Sequence, residues 1–190
     1  MNADFNVNGK IIETDRLILR AFKESDLDDF YEYASIPGVG EMAGWSHHES
    51  IEESRKILNI FIKADKTFAI YLKDKQKVIG SIGVENISND IEMDDVKDLF
   101  GRELGFVLSK DYWKKGLMYE ALRALIDYLF TDMNLDFLMA GYFTHNIRSK
   151  RVQEKSGFKP FYEKTIRTRM GTLEDGIVNI LYNPKKYINL

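Results

Sequence analysis

The sequence predicts an α/β fold, a mixed sheet carrying helices on its faces, and three observations lead there. In the first half, two strand-like runs, "TFAIYLK" and "KVIGSIGVENIS", are joined by "DKQK" as a hairpin. In the second half strand-like and helix-like patterns alternate, which calls for helices on the faces of a mixed sheet. Only three prolines occur, Pro37, Pro160 and Pro184, with no low-complexity linker and no internal repeat, so residues 1–190 are expected to form one domain.

Element by element, "RLILRAF" (16–22) reads as the first strand from its leucines and isoleucine. In "ESDLDDFYEYAS", Leu27, Phe30 and Tyr31 fall at helical spacing with Ser25 as N-cap. "IPGVGEMAGWSHHES" is rich in glycine and reads as loop, and a second helix runs from Ser50 into "IEESRKILNIFIK". The hairpin strands follow, then the acidic "NDIEMDDVKD", a loop or short helix. "ELGFVL" is the next strand, with Glu103 at its start. After Gly116, Leu117, Ala121, Leu125 and Leu129 make one stripe with Leu122 and Ile126 beside it. Glu120, Arg123 and Asp127 share the other face, as in an amphipathic helix. "LDFLMAGYF" is a buried strand, "NIRSKRVQEKSGF" a helix closed by Gly157, and 159–168 and 176–182 are two terminal strands. The order β-α-α-β-β-β-α-β-α-β-β gives about seven strands and four helices.

Bulk properties exclude several functions. A net charge of −3 argues against a dedicated nucleic-acid binder. The absence of cysteine removes disulfides, thiolate metal sites and a thiol nucleophile. The N-terminus lacks a signal-peptide pattern and no apolar run reaches membrane-spanning length, so a cytoplasmic protein without membrane contact is expected. No metal is expected either.

The stretch "SKDYWKKGLMYEAL" sets a basic, glycine-bearing corner between a strand and a helix. A helix start carries unsatisfied N–H groups and partial positive charge, and glycine lets a backbone approach a phosphate closely. Lys114 and Lys115 add charge, while a plain tight turn with solvated lysines is the simpler alternative. A second basic element, "THNIRSKRVQEKSGF", places Asn146 at a helix start and Ser149 in its first turn, with Arg148, Lys150, Arg151 and Lys155 around them. Two anion-friendly helix starts would flank one crevice.

Three segments carry a resemblance to the GCN5-related N-acetyltransferase (GNAT) superfamily, in the branch of the bacterial ribosomal-protein N-terminal (alanine) acetyltransferases. "IETDRLILRAF" resembles its first strand, "RELGFVLSKDYWKKGLMYEAL" its acetyl-CoA loop and "HNIRSKRVQEKSGF" its N-x-x-S-x-x-V-x-x-K-x-G-F segment, all in order. Lys114 departs from a frequent glycine and Met118 from a small residue. The resemblance implies a mostly antiparallel sheet splayed between the fourth and fifth predicted strands, acetyl-CoA as cosubstrate, and an amine acceptor, either a protein N-terminus or a small molecule. It also implies a monomer or homodimer. A fold that binds CoA or a partner without transfer is the alternative.

Under that resemblance the cofactor contacts are Phe106, Val107 and Leu108 along the splayed strand, then Lys114, Lys115, Gly116, Leu117, Met118 and Tyr119 at the corner, with Asn146, Ser149 and Arg151 from the second helix. Glu103 is the candidate base, or else an ordinary solvent-facing strand-end glutamate. Ser149 is a candidate partner of the leaving sulfur, or else a helix-capping residue. Trp45, His47 and Tyr31 are candidate acceptor contacts, with a loop or packing role as the alternative. Phe158 fills the position after Gly157 where many relatives have a tyrosine acid, leaving Tyr142 and Tyr162 as substitutes.

Overall fold

The computed structural model describes residues 2–87 and 96–187. Among the described residues eight strands form one open sheet: β1 (Ile12–Glu13), β2 (Leu17–Ala21), β3 (Thr67–Leu72), β4 (Lys77–Glu85), β5 (Gly101–Leu108), β6 (Phe137–Phe143), β7 (Lys159–Arg167) and β8 (Leu173–Tyr182). Their order is β1-β2-β3-β4-β5-β6-β8-β7, antiparallel except for the parallel pair β5–β6. The strand beyond the predicted seven is β1, at two residues too short to leave a periodic signal.

The helices are α1 (Leu27–Ala34), α2 (Ile51–Ala64), α3 (Leu117–Thr131) and α4 (Ile147–Lys155). Successive strand residues point to opposite faces, and β3 shows the division. Phe68 and Ile70 join Leu17, Leu19, Leu104 and the α3 stripe of Leu117, Ala121, Leu125 and Leu129 on one face. Ala69 on the other face joins Phe22, Phe30 and Tyr33 and the α2 residue Leu58. Truncating any of these buried leucines would cost about 2–5 kcal/mol.

Several local expectations change in the fold. Ser25 is not the cap of α1; it lies in a short 3-10 turn, and Asp26 organises the entry instead. The Asp26 carboxylate accepts from the Lys23 amide at 2.8 Å and pairs with Arg20 at 2.7 Å, two interactions a serine cannot supply together. Ser50 does cap α2, accepting from the Glu53 amide at 3.2 Å. β8 starts three residues before position 176, because Leu173 and Arg167 already pair across the hairpin. Residues 89–95 of the acidic segment lie outside the described residues.

The feature that positions the site is the split between β5 and β6, which are the fourth and fifth predicted strands. Their parallel pairing covers only Gly101–Phe137, Arg102–Leu138 and Glu103–Met139, while β5 stays paired to β4 as far as Leu108. A register shift in the β3–β4 pairing leaves Ile79 as an extra residue, and such a bulge bends and twists a strand. Next to it, a Cβ on Gly80 would stand 2.3 Å from the Val107 carbonyl oxygen. Glycine there lets β5 follow the bent β4 away from β6.

Candidate active site

The split opens a cleft of about 490 Å³. On one wall is β5 from Gly105 to Leu108, whose backbone edge toward β6 has no strand partner. On the other are Gly141 of β6 and the start of α4, and Trp113, Lys114 and Gly116–Tyr119 close one end. Of the predicted cofactor contacts, Phe106, Val107, Leu108, Lys114, Gly116, Leu117, Met118, Tyr119, Asn146, Ser149 and Arg151 all line it. Lys115 does not. It lines a separate surface groove beside Arg16 and Tyr112, with its ammonium 5.1 Å from the Tyr112 ring.

The corner is built to expose backbone donors. Gly116 caps α3 with φ +76°, and Lys114 also adopts a left-handed φ of +62°, a conformation that favours glycine. Glu120 is the first α3 residue whose amide can reach back within the helix, to the Gly116 carbonyl at 3.0 Å, so the preceding turn presents its N–H groups to the cleft. Met118 is buried in the core, so its bulk is directed inward.

A clamp holds this corner, and its members were not among the predicted site residues. Glu120 accepts from the Thr14 hydroxyl at 2.6 Å, the Arg16 amide at 3.0 Å and Arg16 Nε at 2.7 Å, and Arg16 also donates to the Lys115 carbonyl at 3.0 Å. Burial alone would push the Glu120 carboxyl up; the donors from Thr14 and Arg16 hold it below the usual range. The sequence signal was the helical position of Glu120, which reads as solvent-facing when β1 and β2 are not yet beside it.

Cations rim the mouth. Arg148 stacks 4.0 Å from the Trp113 ring, whose indole N–H donates to the Leu108 carbonyl at 2.8 Å. Lys155 sits 4.2 Å from the Tyr119 ring. With Lys114 and Arg151 these make an electropositive border in a protein of net negative charge.

Asn146 caps α4, accepting from the Ser149 amide at 3.2 Å, and donates to the Met42 carbonyl at 3.2 Å. That bond ties the cleft to the 37–48 loop, which contributes Val39, Met42 and Ala43 to its lining. The same loop is held by Lys110 at the Pro37 carbonyl and by the Arg169 amide at the Gly44 carbonyl. The three predicted acceptor contacts do not line the cleft itself. Trp45 packs on Gly40 and lies 5.1 Å from the His48 ring, and Tyr31 is on a half-exposed part of α1. His47 Nδ1 lies 2.7 Å from Glu41. Burial opposes ionisation of Glu41, but His47 and the Gly38 and His47 amides hold its carboxyl down at about 2.

Glu103 is the last β5 residue paired with β6, placing it at the vertex of the split rather than at a strand end. Its Oε1 is 3.8 Å from where a Cβ on Gly141 would stand, which sets the carboxylate next to a cleft-lining residue although Glu103 itself does not line the cleft. Burial pushes the Glu103 carboxyl up, Lys164 opposes and Glu85 adds to the rise. Tyr162 is pushed up to about 12 by burial and by Glu103, and stays a neutral phenol. Phe158 is buried in the core.

A mostly antiparallel sheet that splits at one parallel pair, beside a helix start rimmed by cations, defines an acyl-CoA-dependent N-acetyltransferase. The chain belongs to the GNAT acetyltransferases, since the acetyltransferase (GNAT) domain model matches residues 16–159. It is similar to an uncharacterized N-acetyltransferase of Bacillus subtilis, YoaA, 27% identical over 93% of this chain and 98% of that one. It is also 27% identical to the [ribosomal protein uS5]-alanine N-acetyltransferase of Escherichia coli, over 94% of each. An acetyltransferase (GNAT family) structure from Bacillus anthracis superposes with TM-score 0.79 at 24% identity, over 92% of this chain and 99% of the other. Among the described residues no helix is long and apolar enough to cross a membrane.

Proposed function

We propose that the chain moves the acetyl group of acetyl-CoA onto a primary amine by direct attack in a ternary complex. The observation that carries this reading is the unpaired edge of β5 running into the first turn of α3. A pantetheine arm can pair along Phe106–Leu108 while its diphosphate meets the amides of Gly116–Tyr119 and the charges of Lys114, Arg148 and Arg151. The amine nitrogen attacks the thioester carbonyl, its proton passes to Glu103 directly or through water, and the C–S bond breaks to release CoA thiolate. That thiolate then takes up a proton. A carboxylate with raised proton affinity suits the base role. With no cysteine, an acyl-cysteine intermediate has no nucleophile.

The acceptor amine is a protein N-terminus or a small molecule, reached under the 37–48 loop beside Glu103. The Escherichia coli relative, named for an alanine of uS5, supports the first. The deciding experiment follows thiol release from acetyl-CoA against a panel of N-terminal peptides and small amines, with product mass as confirmation. Amine-dependent release with a mass gain of one acetyl group is expected. CoA binding with no amine-dependent release would overturn the transferase mechanism.

A further inference from the structure

The hydrogen-bond chain beneath the cleft has a polarity set at one end. The Gly141 carbonyl can only accept, so the Gln153 atom 3.2 Å from it is the amide nitrogen. The same Nε2 lies 3.1 Å from Ser149 Oγ, one turn back along α4. Both Gln153 N–H groups are thereby used. At the other end Gln153 Oε1 accepts from Asn179 Nδ2 of β8 at 2.9 Å. Gln153 and Asn179 are 0% and 1% exposed, so water does not compete for these partners. Ser149 Oγ is therefore an acceptor within the protein. Its own proton has no protein acceptor among the described residues, and Ser149 lines the cleft.

We infer that Gln153, oriented by Asn179, is a positioning residue that commits the Ser149 hydroxyl to donate its hydrogen bond into the cleft, to the sulfur of CoA. The inference rests on the acetyl-CoA reading and adds to it a residue two layers from the chemistry. Without a donor at its back, a serine near a helix start readily turns its hydroxyl onto a preceding backbone carbonyl, where it stabilises nothing in the cleft. Gln153 also has a plain anchoring role, joining α4 to β6 and β8, and the test must separate the two.

The separating readout is the titration of the CoA thiol in its binary complex with the protein, followed by the ultraviolet band of the thiolate. No cysteine in the chain contributes to that band, and subtracting the same titration with desulfo-CoA bound removes the phenolate absorption of the ten tyrosines. A hydrogen bond that favours the thiolate lowers the midpoint, so Gln153→Met is expected to raise it by about 1 pH unit, roughly tenfold less thiolate at a given pH. Ser149→Ala should raise it equally, and the double variant no further. If Gln153→Met does not fold, Gln153→Glu keeps the shape but accepts the Ser149 proton, and it must raise the midpoint too. A midpoint unmoved by either Gln153 variant, or moved equally when Ser149 is already alanine, overturns the inference while CoA binding stands. Failure of CoA to bind the parent protein overturns the cofactor reading and the inference with it.

Discussion

Glu103 gathers most of the chemistry into one side chain. Folding raises its proton affinity, chiefly by burial, with Lys164 opposing and Glu85 reinforcing. Activity should therefore climb with pH along a limb displaced above the ordinary carboxylate value of 4.5. Glu103→Gln should remove that limb and lower kcat by about 10²–10⁴; a kcat–pH profile that survives the substitution intact would end the base assignment. Stability moves the other way. A raised folded-state value favours the protonated form, so this contribution is full below 4.5 and lost as pH rises through the folded value. At neutral pH the glutamine variant should unfold at a higher temperature than the parent while turning over more slowly. The position of Glu103 was readable from its place in "ELGF", but its burial was not, since that depends on Tyr162 and Lys164 of β7, about sixty residues later in the chain.

At the scale of elements, the α3 start was legible and its support was not. Apolar periodicity marks Leu117, Ala121, Leu125 and Leu129 because one helix buries one stripe, a local property. The Thr14–Arg16–Glu120 clamp joins segments about a hundred residues apart, which no local pattern encodes. Glu120→Gln should weaken CoA binding about tenfold by loosening the Lys115–Gly116 turn, measurable by calorimetry. The lowered Glu120 value fixes the sign of its pH effect: the clamp contributes fully above 4.5 and is lost as pH falls through the folded value. Parent and Glu120→Gln should thus converge in thermal stability in acid. Lys114 offers a second test on the same turn. Its left-handed backbone costs about 1–2 kcal/mol for a residue with a Cβ, and Lys114→Gly relieves this while adding about 0.4–1 kcal/mol of unfolded-chain entropy. Stability should stay level or rise by up to about 1.6 kcal/mol, while CoA affinity falls and loses part of its salt dependence.

Across the whole molecule, the split divides the sheet into a β1–β5 block and a β6-β8-β7 block. Near the vertex the halves meet through three residue pairs, reinforced by Asp136 accepting from the Phe100 amide at 2.8 Å. The element types were readable because each strand run is a short apolar stretch bounded by turn residues, a local signal. The order was not, because β8 inserts between β6 and β7 through side-chain packing of Met139, Phe161, Val178 and Ile180 that involves three separate segments. A ligand lying in the split touches both blocks and closes a gap that folding leaves open, so cofactor binding should act on global stability. CoA at a hundredfold excess over its dissociation constant adds about 2.7 kcal/mol, and for a chain of this size that raises the melting temperature by roughly 5–10 °C. Pantetheine at the same concentration, lacking the diphosphate, reaches β5 but not the α3 amides and should give a much smaller rise. The difference between the two should shrink with added salt, because the Lys114, Arg148 and Arg151 charges are exposed to screening. Equal shifts from both ligands at low salt would mean that the Gly116 corner holds no phosphate, and the electropositive rim would then need another purpose.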